Sequence, residues 1–185
     1  TVPNNPPTIG QPPLSQTVIA GQPAGFNVSA SGSAPLAYQW RFYGTNIAGV
    51  TGSSFTIPNS QSQHAGDYSV VVTNAVGSAT SSVASLTVNY SLTTAVIGGG
   101  TVSPPPNPIG YAPGTAVLLT ATPDAGFTFS AWEGDASGAA NPLNVILTTN
   151  KWITASFLNT NVDVFLDNTN SEASYNGDWQ TGTAS

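Results

Sequence analysis

The stretch from His64 to Ser78, HAGDYSVVVTNAVGS, decides how the chain is read. Tyr68, Val70 and Val72 fall on one side of it, and Asp67, Ser69 and Val71 on the other. A period of two is the pattern of a β-strand with one face on a core. Asn74 and Gly77 follow, residue types that supply a hairpin turn. An inward row of this kind needs partner strands to cover it.

Those partners are visible on either side. FNVSA (26–30) places Phe26, Val28 and Ala30 on one face, and AYQWRF (37–42) does the same with Tyr38, Trp40 and Phe42. SFTI (54–57) contributes Phe55 and Ile57, and ASLTV (84–88) contributes Ala84, Leu86 and Val88. Further along stand TAVLLTA (115–121), GFTFSAW (126–132), NVILT (144–148) and WITASF (152–157). Clusters of Gly, Pro, Asn and Ser separate these runs, and helical periodicity is nearly absent, so the chain is all-β. Four zones follow. Residues 1–13 are a proline-rich lead-in to a first strand, 14–90 a β-sandwich, 91–158 a smaller β module, and 159–185 an incomplete domain or a strand-donating tail.

Composition narrows the function. Of 185 residues only 5% are charged, the net charge is −6, and Arg41 and Lys151 are the only cations. Nucleic-acid binding needs a basic footprint to neutralise phosphates, and anionic membranes ask for the same. Surface polarity has to come from Ser, Thr, Asn and Gln, which suits a secreted protein. Hydrophobic residues make up 39%, enough for a packed core. The absence of cysteine removes disulfides, thiolate metal sites and thiol catalysis together. The chain opens on TVPNNPPTIG, without a basic start and apolar run, so any secretion signal is expected upstream.

The segments AGQPAGFNVSASGSAPLAYQWRFYGTNI and FTIPNSQSQHAGDYSVVVTNAVGSATSSVASLTV resemble bacterial immunoglobulin-like domains of the intermediate-set type, over residues 10–89 or so. The resemblance implies that Trp40 is the core tryptophan. It also implies that Tyr68 forms a tyrosine corner, its hydroxyl bonded to backbone upstream. Val28 and Val70 stand where antibody domains carry their cysteines. Each buried valine is worth roughly 1.5–3 kcal/mol, against about 2–4 kcal/mol for a disulfide. Two valines packed under Trp40 therefore do comparable work without an oxidising compartment. One departure is His64, which replaces the usual Asp of the corner motif. Small secreted eukaryotic domains tend to be disulfide-dense, so a cysteine-free version leans bacterial.

Residues 91–158 are similar to the divergent internalin-type B-repeat, a β module of bacterial surface proteins. Gly114, Thr115, Ala121, Pro123, Gly126, Phe127, Phe129, Trp132, Ala155 and Phe157 carry the likeness, and no catalytic residue comes with it. The tail DVFLDNTNSEASYNGDWQTGT resembles the start of a golvesin-type C-terminal domain, through Asp167, Asn168, Thr169, Gly177 and Trp179. The expected structural core is Val28, Trp40, Tyr68, Val70, Phe127, Phe129, Trp132 and Phe157.

Strand phase puts Leu118, Ile146 and Trp152 on the outside of the second module. Together they are expected as an apolar outer face that meets a neighbouring module or a glycan, with Trp179 as a further candidate contact. Candidate chemistry is sparse. His64 reads as a surface-loop histidine. Glu133 and Asp135 in WEGDASG read as a hydrated turn, with calcium as the alternative. LDNTNSE holds a similar option at Asp167 and Asn168. IGGGTV is glycine-rich, yet prolines and a β pattern follow it, not a helix, so it is not a cofactor loop. NVS (27–29) and NYS (89–91) fit the glycosylation acceptor pattern. No catalytic, cofactor or metal residue is assigned. The expected role is a non-catalytic structural, adhesive or spacer region of a secreted or surface bacterial protein, partnered by neighbouring domains of the same polypeptide. The alternatives are a carbohydrate-binding accessory module and a filament subunit assembled by strand addition.

Overall fold

The computed structural model describes residues 4–160. The tail residues Asp167, Asn168, Thr169, Tyr175, Gly177 and Trp179, with the golvesin likeness and the strand-donating tail, lie outside the described residues.

In the first domain β8 (Gly66–Thr73) pairs antiparallel with β5 (Ala37–Phe42), setting Trp40 opposite Val70, Tyr38 opposite Val72 and Phe42 opposite Tyr68. The two inward rows thus coincide. The same sheet contains β10 (Ala84–Asn89) on the other side of β8, β2 (Gln16–Ile19) beyond it, the short β6 (Thr45–Asn46) at the far edge, and β9 (Ser78–Thr80) against β8. Opposite it runs a strand interrupted at Val28. Its first half, β3 (Ala24–Asn27), pairs with β7 (Ser54–Ile57), and its second half, β4 (Ser29–Ser31), pairs with β1 (Thr8–Gln11). Both sheets contribute to one core that includes Phe26, Val28, Trp40, Ile57, Tyr68, Val70, Val72, Leu86 and Val88.

The lead-in of residues 1–13 does more than precede a strand. Thr8–Gln11 is itself a strand of the sandwich, and Pro12 and Pro13 carry the chain from one sheet to the other. Proline has no N–H to give a ladder, so a crossing between sheets is where it costs least. Gln16 then covers the edge that this crossing leaves open. Its side-chain Nε2 donates to the Gly25 carbonyl at 2.9 Å, and its Oε1 accepts from the Gly25 N–H at 3.4 Å.

The second domain is two facing sheets of three strands. One has the order β11 (Leu92–Ile97), β16 (Lys151–Asn159), β14 (Phe127–Gly134). The other has β12 (Gly100–Ser103), β13 (Ala116–Pro123), β15 (Leu143–Ile146). Val117, Leu119, Ala121, Val145 and Leu147 from one side meet Leu92, Trp132, Ile153, Ala155 and Phe157 from the other in a single core. Strict alternation would place Phe129 and Trp132 on opposite faces. A bulge between Phe129 and Ala131 resets the phase, so that Phe129 lies opposite Phe157 and Trp132 opposite Ala155. Between β11 and β12 the glycines of IGGG pass directly over two rings. A Cβ on Gly99 would stand 2.6 Å from the Phe127 ring, and one on Gly100 would stand 2.5 Å from that of Phe157. The glycine run is therefore there for close approach of backbone to aromatic side chains.

Candidate functional site

The residues read from the sequence as core occupy several environments. Trp40, Tyr68 and Val70 are fully enclosed, Val28 is buried at the break between β3 and β4, and Trp132 and Phe157 are buried in the second domain. Phe127 and Phe129 are half-buried and pack against that second core from its margin. Both indoles are satisfied. Trp40 Nε1 donates to the Gly52 carbonyl at 2.9 Å, and Trp132 Nε1 donates to the Ala140 carbonyl at 3.0 Å.

Leu118, Ile146 and Trp152 are each more than half exposed, at 56%, 54% and 58%. They do not form one face. Ile146 lies opposite Ala116, the second residue before Leu118 on β13, so Leu118 and Ile146 are diagonal neighbours outside the β12–β13–β15 sheet. Trp152 belongs to β16, and β13 and β16 turn their buried rows toward the same core. Leu118 and Trp152 therefore point away from that core on opposite sides. The expectation of a single apolar platform is corrected: phase says that a residue points outward, and only sheet order says outward from which sheet.

The acidic turn is engaged internally. Asp135 Oδ2 accepts from the Trp152 N–H at 2.7 Å, and Glu133 Oε1 accepts from the Ser156 hydroxyl at 2.8 Å. Among the described residues no three His, Asp or Glu side chains converge in a metal-binding group. Of the two glycosylation patterns, Asn89 is buried and its Nδ2 donates to the Ile109 carbonyl at 2.9 Å.

His64 closes a small hydrogen-bonded knot. Its Nδ1 accepts from the Gln61 N–H at 2.9 Å, capping a 3-10 turn at Ser62–His64, and its carbonyl accepts from the Tyr68 hydroxyl at 2.7 Å. The ring thus caps the turn that leads into the tyrosine corner. Burial, with a smaller contribution from the Tyr43 phenol, pushes the Tyr68 phenol above its ordinary value of 10.

The feature that sequence reasoning missed is the junction between the domains. Only Tyr90 and Ser91 separate β10 from β11. Tyr90 packs against both cores, and its backbone N–H and C=O pair with those of Tyr111 at 2.8 and 2.9 Å. Asn150, from the turn before β16, bridges the two domains. Its Oδ1 accepts from the Ser91 N–H and its Nδ2 donates to the Ala20 carbonyl, both at 2.9 Å. The Asn89 side chain also donates across the junction, to the Ile109 carbonyl in the loop before Gly110. Gly110 is buried, with φ +69°, and a Cβ there would stand 2.8 Å from the Tyr90 carbonyl oxygen. One signal was available: ASLTVN runs into SLTTAVI with no Pro, Gly or charged spacer between them.

No curated protein matches the chain. Among solved structures, a titin domain in a trigonal form is 22% identical over 48% of this chain and 100% of its own, with a TM-score of 0.44. A chimeric titin tandem carrying an exogenous peptide from decorin is 30% identical over 48% of this chain and 98% of its own, with a TM-score of 0.43. A three-domain titin fragment covers 84% of this chain and is covered over 65% of its own, at 13% identity and a TM-score of 0.46. Two family models match in succession, the immunoglobulin domain over residues 6–74 and the divergent InlB B-repeat domain over residues 90–161. The chain is therefore an all-β protein in which an immunoglobulin-like domain is followed by a divergent InlB B-repeat domain.

Proposed function

We propose that this chain is a non-catalytic, stiff spacer in a modular extracellular bacterial protein, and that it holds flanking modules at a set separation and angle. The observation that carries this reading is the junction. Domains joined by flexible linkers move independently unless their interface is extensive. Here the connection is two residues long, Tyr90 is shared by both cores, and the Asn89 and Asn150 side chains are hydrogen-bonded across it. A spacer needs defined geometry and no reacting group. The charge-poor, hydroxyl- and amide-rich surface suits an extracellular setting, and among the described residues no helix is long and apolar enough to cross a membrane.

The test uses the absence of native cysteine. Spin labels at V83C and L118C, both on exposed positions in different domains, report the inter-domain distance. A single narrow distribution is expected, and Gly110→Ala is expected to broaden it. A distribution as broad as that of freely reorienting domains in the otherwise native chain would overturn the spacer reading.

A further inference from the structure

Among the described residues Trp152 is the one tryptophan that lies open to solvent, and the backbone around it is built to hold it there. Asp135 grips it from the β14 side. The Asp135 N–H donates to the Trp152 carbonyl at 2.9 Å, and its Oδ2 accepts from the Trp152 N–H at 2.7 Å. Gly134, with φ +97°, permits this approach, because a Cβ there would collide with the Trp152 carbonyl. On the other side β11 lies parallel to β16, with Thr93 opposite Trp152. An indole on the central strand of a sheet already has an ordered backbone, so a ligand that stacks on it has little ordering to supply. The registers set the rest of that outer face. Thr154, Ser156 and Leu158 follow along β16, with Ala95 and Ile97 beside them on β11 and Glu133 and Ala131 on β14. Ile97 and Leu158 are also more than half exposed. The face therefore runs from an indole, across hydroxyls and a carboxylate, to a second apolar spot, over about 20 Å of strand.

From this arrangement we infer that the outer face of β11–β16–β14 binds a neutral, β-linked polysaccharide, laid along β16 with one ring stacked on Trp152. Pyranose rings with equatorial hydroxyls have flat C–H faces, which an indole covers, and a rim of hydroxyls, which carboxylates accept. Both carboxylates are aimed by internal bonds, Glu133 through Oε1 to the Ser156 hydroxyl and Asp135 through Oδ2 to the Trp152 N–H, and each has a second oxygen outside that bond. Charge selects against an anionic glycan. Glu133 and Asp135 flank the indole in a chain of net charge −6, and Lys151 falls in the opposite phase of β16, with Ile153. Neighbouring modules do not account for the exposed ring. The junction residue Asn150 is next but one in sequence, yet the contact it makes with the first domain leaves Trp152 open. The chain leaves β16 at Asn159, at the strand's other end. Leu118 and Ile146 belong to the opposite sheet and take no part. The inference goes beyond the spacer reading, because a lateral glycan contact needs no fixed angle between the domains.

The test titrates the full 185-residue chain calorimetrically with hexasaccharides of β-1,4-linked glucose and of β-1,4-linked xylose, and with a galacturonate oligomer of similar length as the anionic control. Saturable binding of at least one neutral hexasaccharide is expected, and none of the galacturonate. Trp152→Ala should weaken it at least about tenfold, equivalent to ~1.4 kcal/mol. Trp152→Phe keeps a smaller ring and should fall between that variant and the parent. Glu133→Gln, which replaces a charged acceptor by a neutral amide, should weaken binding less than Trp152→Ala. Leu118→Ala, on the opposite sheet, should leave it unchanged. Because Trp152 is exposed, the urea midpoint of Trp152→Ala should match the parent, which separates a lost contact from a lost fold. Failure of both neutral hexasaccharides to bind, binding that Trp152→Ala leaves intact, or a preference for the galacturonate would each overturn the inference. A narrow spin-label distribution without glycan binding would keep the spacer and remove the glycan face. Glycan binding with a broad distribution would do the reverse.

Discussion

Trp40 and Trp132 play the same part in two different cores. In the first domain the indole lies 6.0 Å from both the Phe26 and the Phe55 rings, while Tyr68 stacks 4.7 Å from Phe26 and tilts 4.9 Å from Phe42. In the second domain Trp132 has one ring neighbour, Phe129 at 5.2 Å, which in turn meets Phe157 at 5.9 Å; the other fully buried residues of that core are aliphatic. Neither domain has a disulfide to draw on. The difference teaches that a small sandwich can be closed by an aromatic cluster or by aliphatic rows around a single indole. Each also uses an amide side chain where strand pairing gives out. Gln16 serves Gly25 in the first domain. Asn141 serves Ala121 in the second, donating to its carbonyl at 2.7 Å and accepting its N–H at 3.0 Å. Asn150 does the same work across the junction.

The largest effects should come from the two tryptophans. Trp40→Ala and Trp132→Ala should each cost about 3–5 kcal/mol in urea titration. Trp40→Ala should be the worse, because aromatic pairs add roughly 0.5–1.5 kcal/mol beyond area burial. A greater loss from Trp132→Ala would break the comparison between the cores. Next come the amides. Asn141→Ala leaves the N–H and C=O of a buried strand residue without partners and should cost about 1–3 kcal/mol. Gln16→Ala acts at an exposed edge, where water replaces the amide, and should cost well under 1 kcal/mol by the same measurement. Equal losses would mean that the two clamps are not distinguished by burial.

The tyrosine corner falls between these two amides in size. Tyr68→Phe removes one hydrogen bond to the His64 carbonyl and should cost about 1 kcal/mol. Its pH signature is more telling. The folded protein keeps the phenol protonated above its ordinary value of 10, so beyond that pH the unfolded chain binds fewer protons than the folded one. Stability is therefore expected to fall as pH rises from 10 toward the higher folded value. Chemical denaturation across that range should show a slope that Tyr68→Phe flattens. An unchanged slope would place the alkaline sensitivity elsewhere.

Much of the fold was legible because alternation is a local property. Tyr38, Trp40 and Phe42, or Val117, Leu119 and Ala121, declare their inward side from spacing alone. Less of the candidate site was legible. Pro12 and Pro13 read as linker, yet Thr8–Gln11 ahead of them is a strand, since its pairing depends on the distant β4. The bulge before Ala131 hides in a run that looks regular. Asn150 and Ala20 lie 130 residues apart, and no short-range pattern marks an asparagine that will bridge two domains. Leu118 and Trp152 shared a phase argument but not a surface.

Residue types and short-range spacing are enough to set the strand class, the inward rows, the two tryptophan cores and the exclusion of thiol chemistry. Each of these follows from residue type or from a period of two within one strand. Tertiary structure alone decided the parallel pairing of the terminal strands, the sheet that each outward residue belongs to, and the junction at Tyr90. These depend on hydrogen bonds and close approaches between segments far apart in the chain. An isolated strand carries no record of which neighbour its backbone will meet.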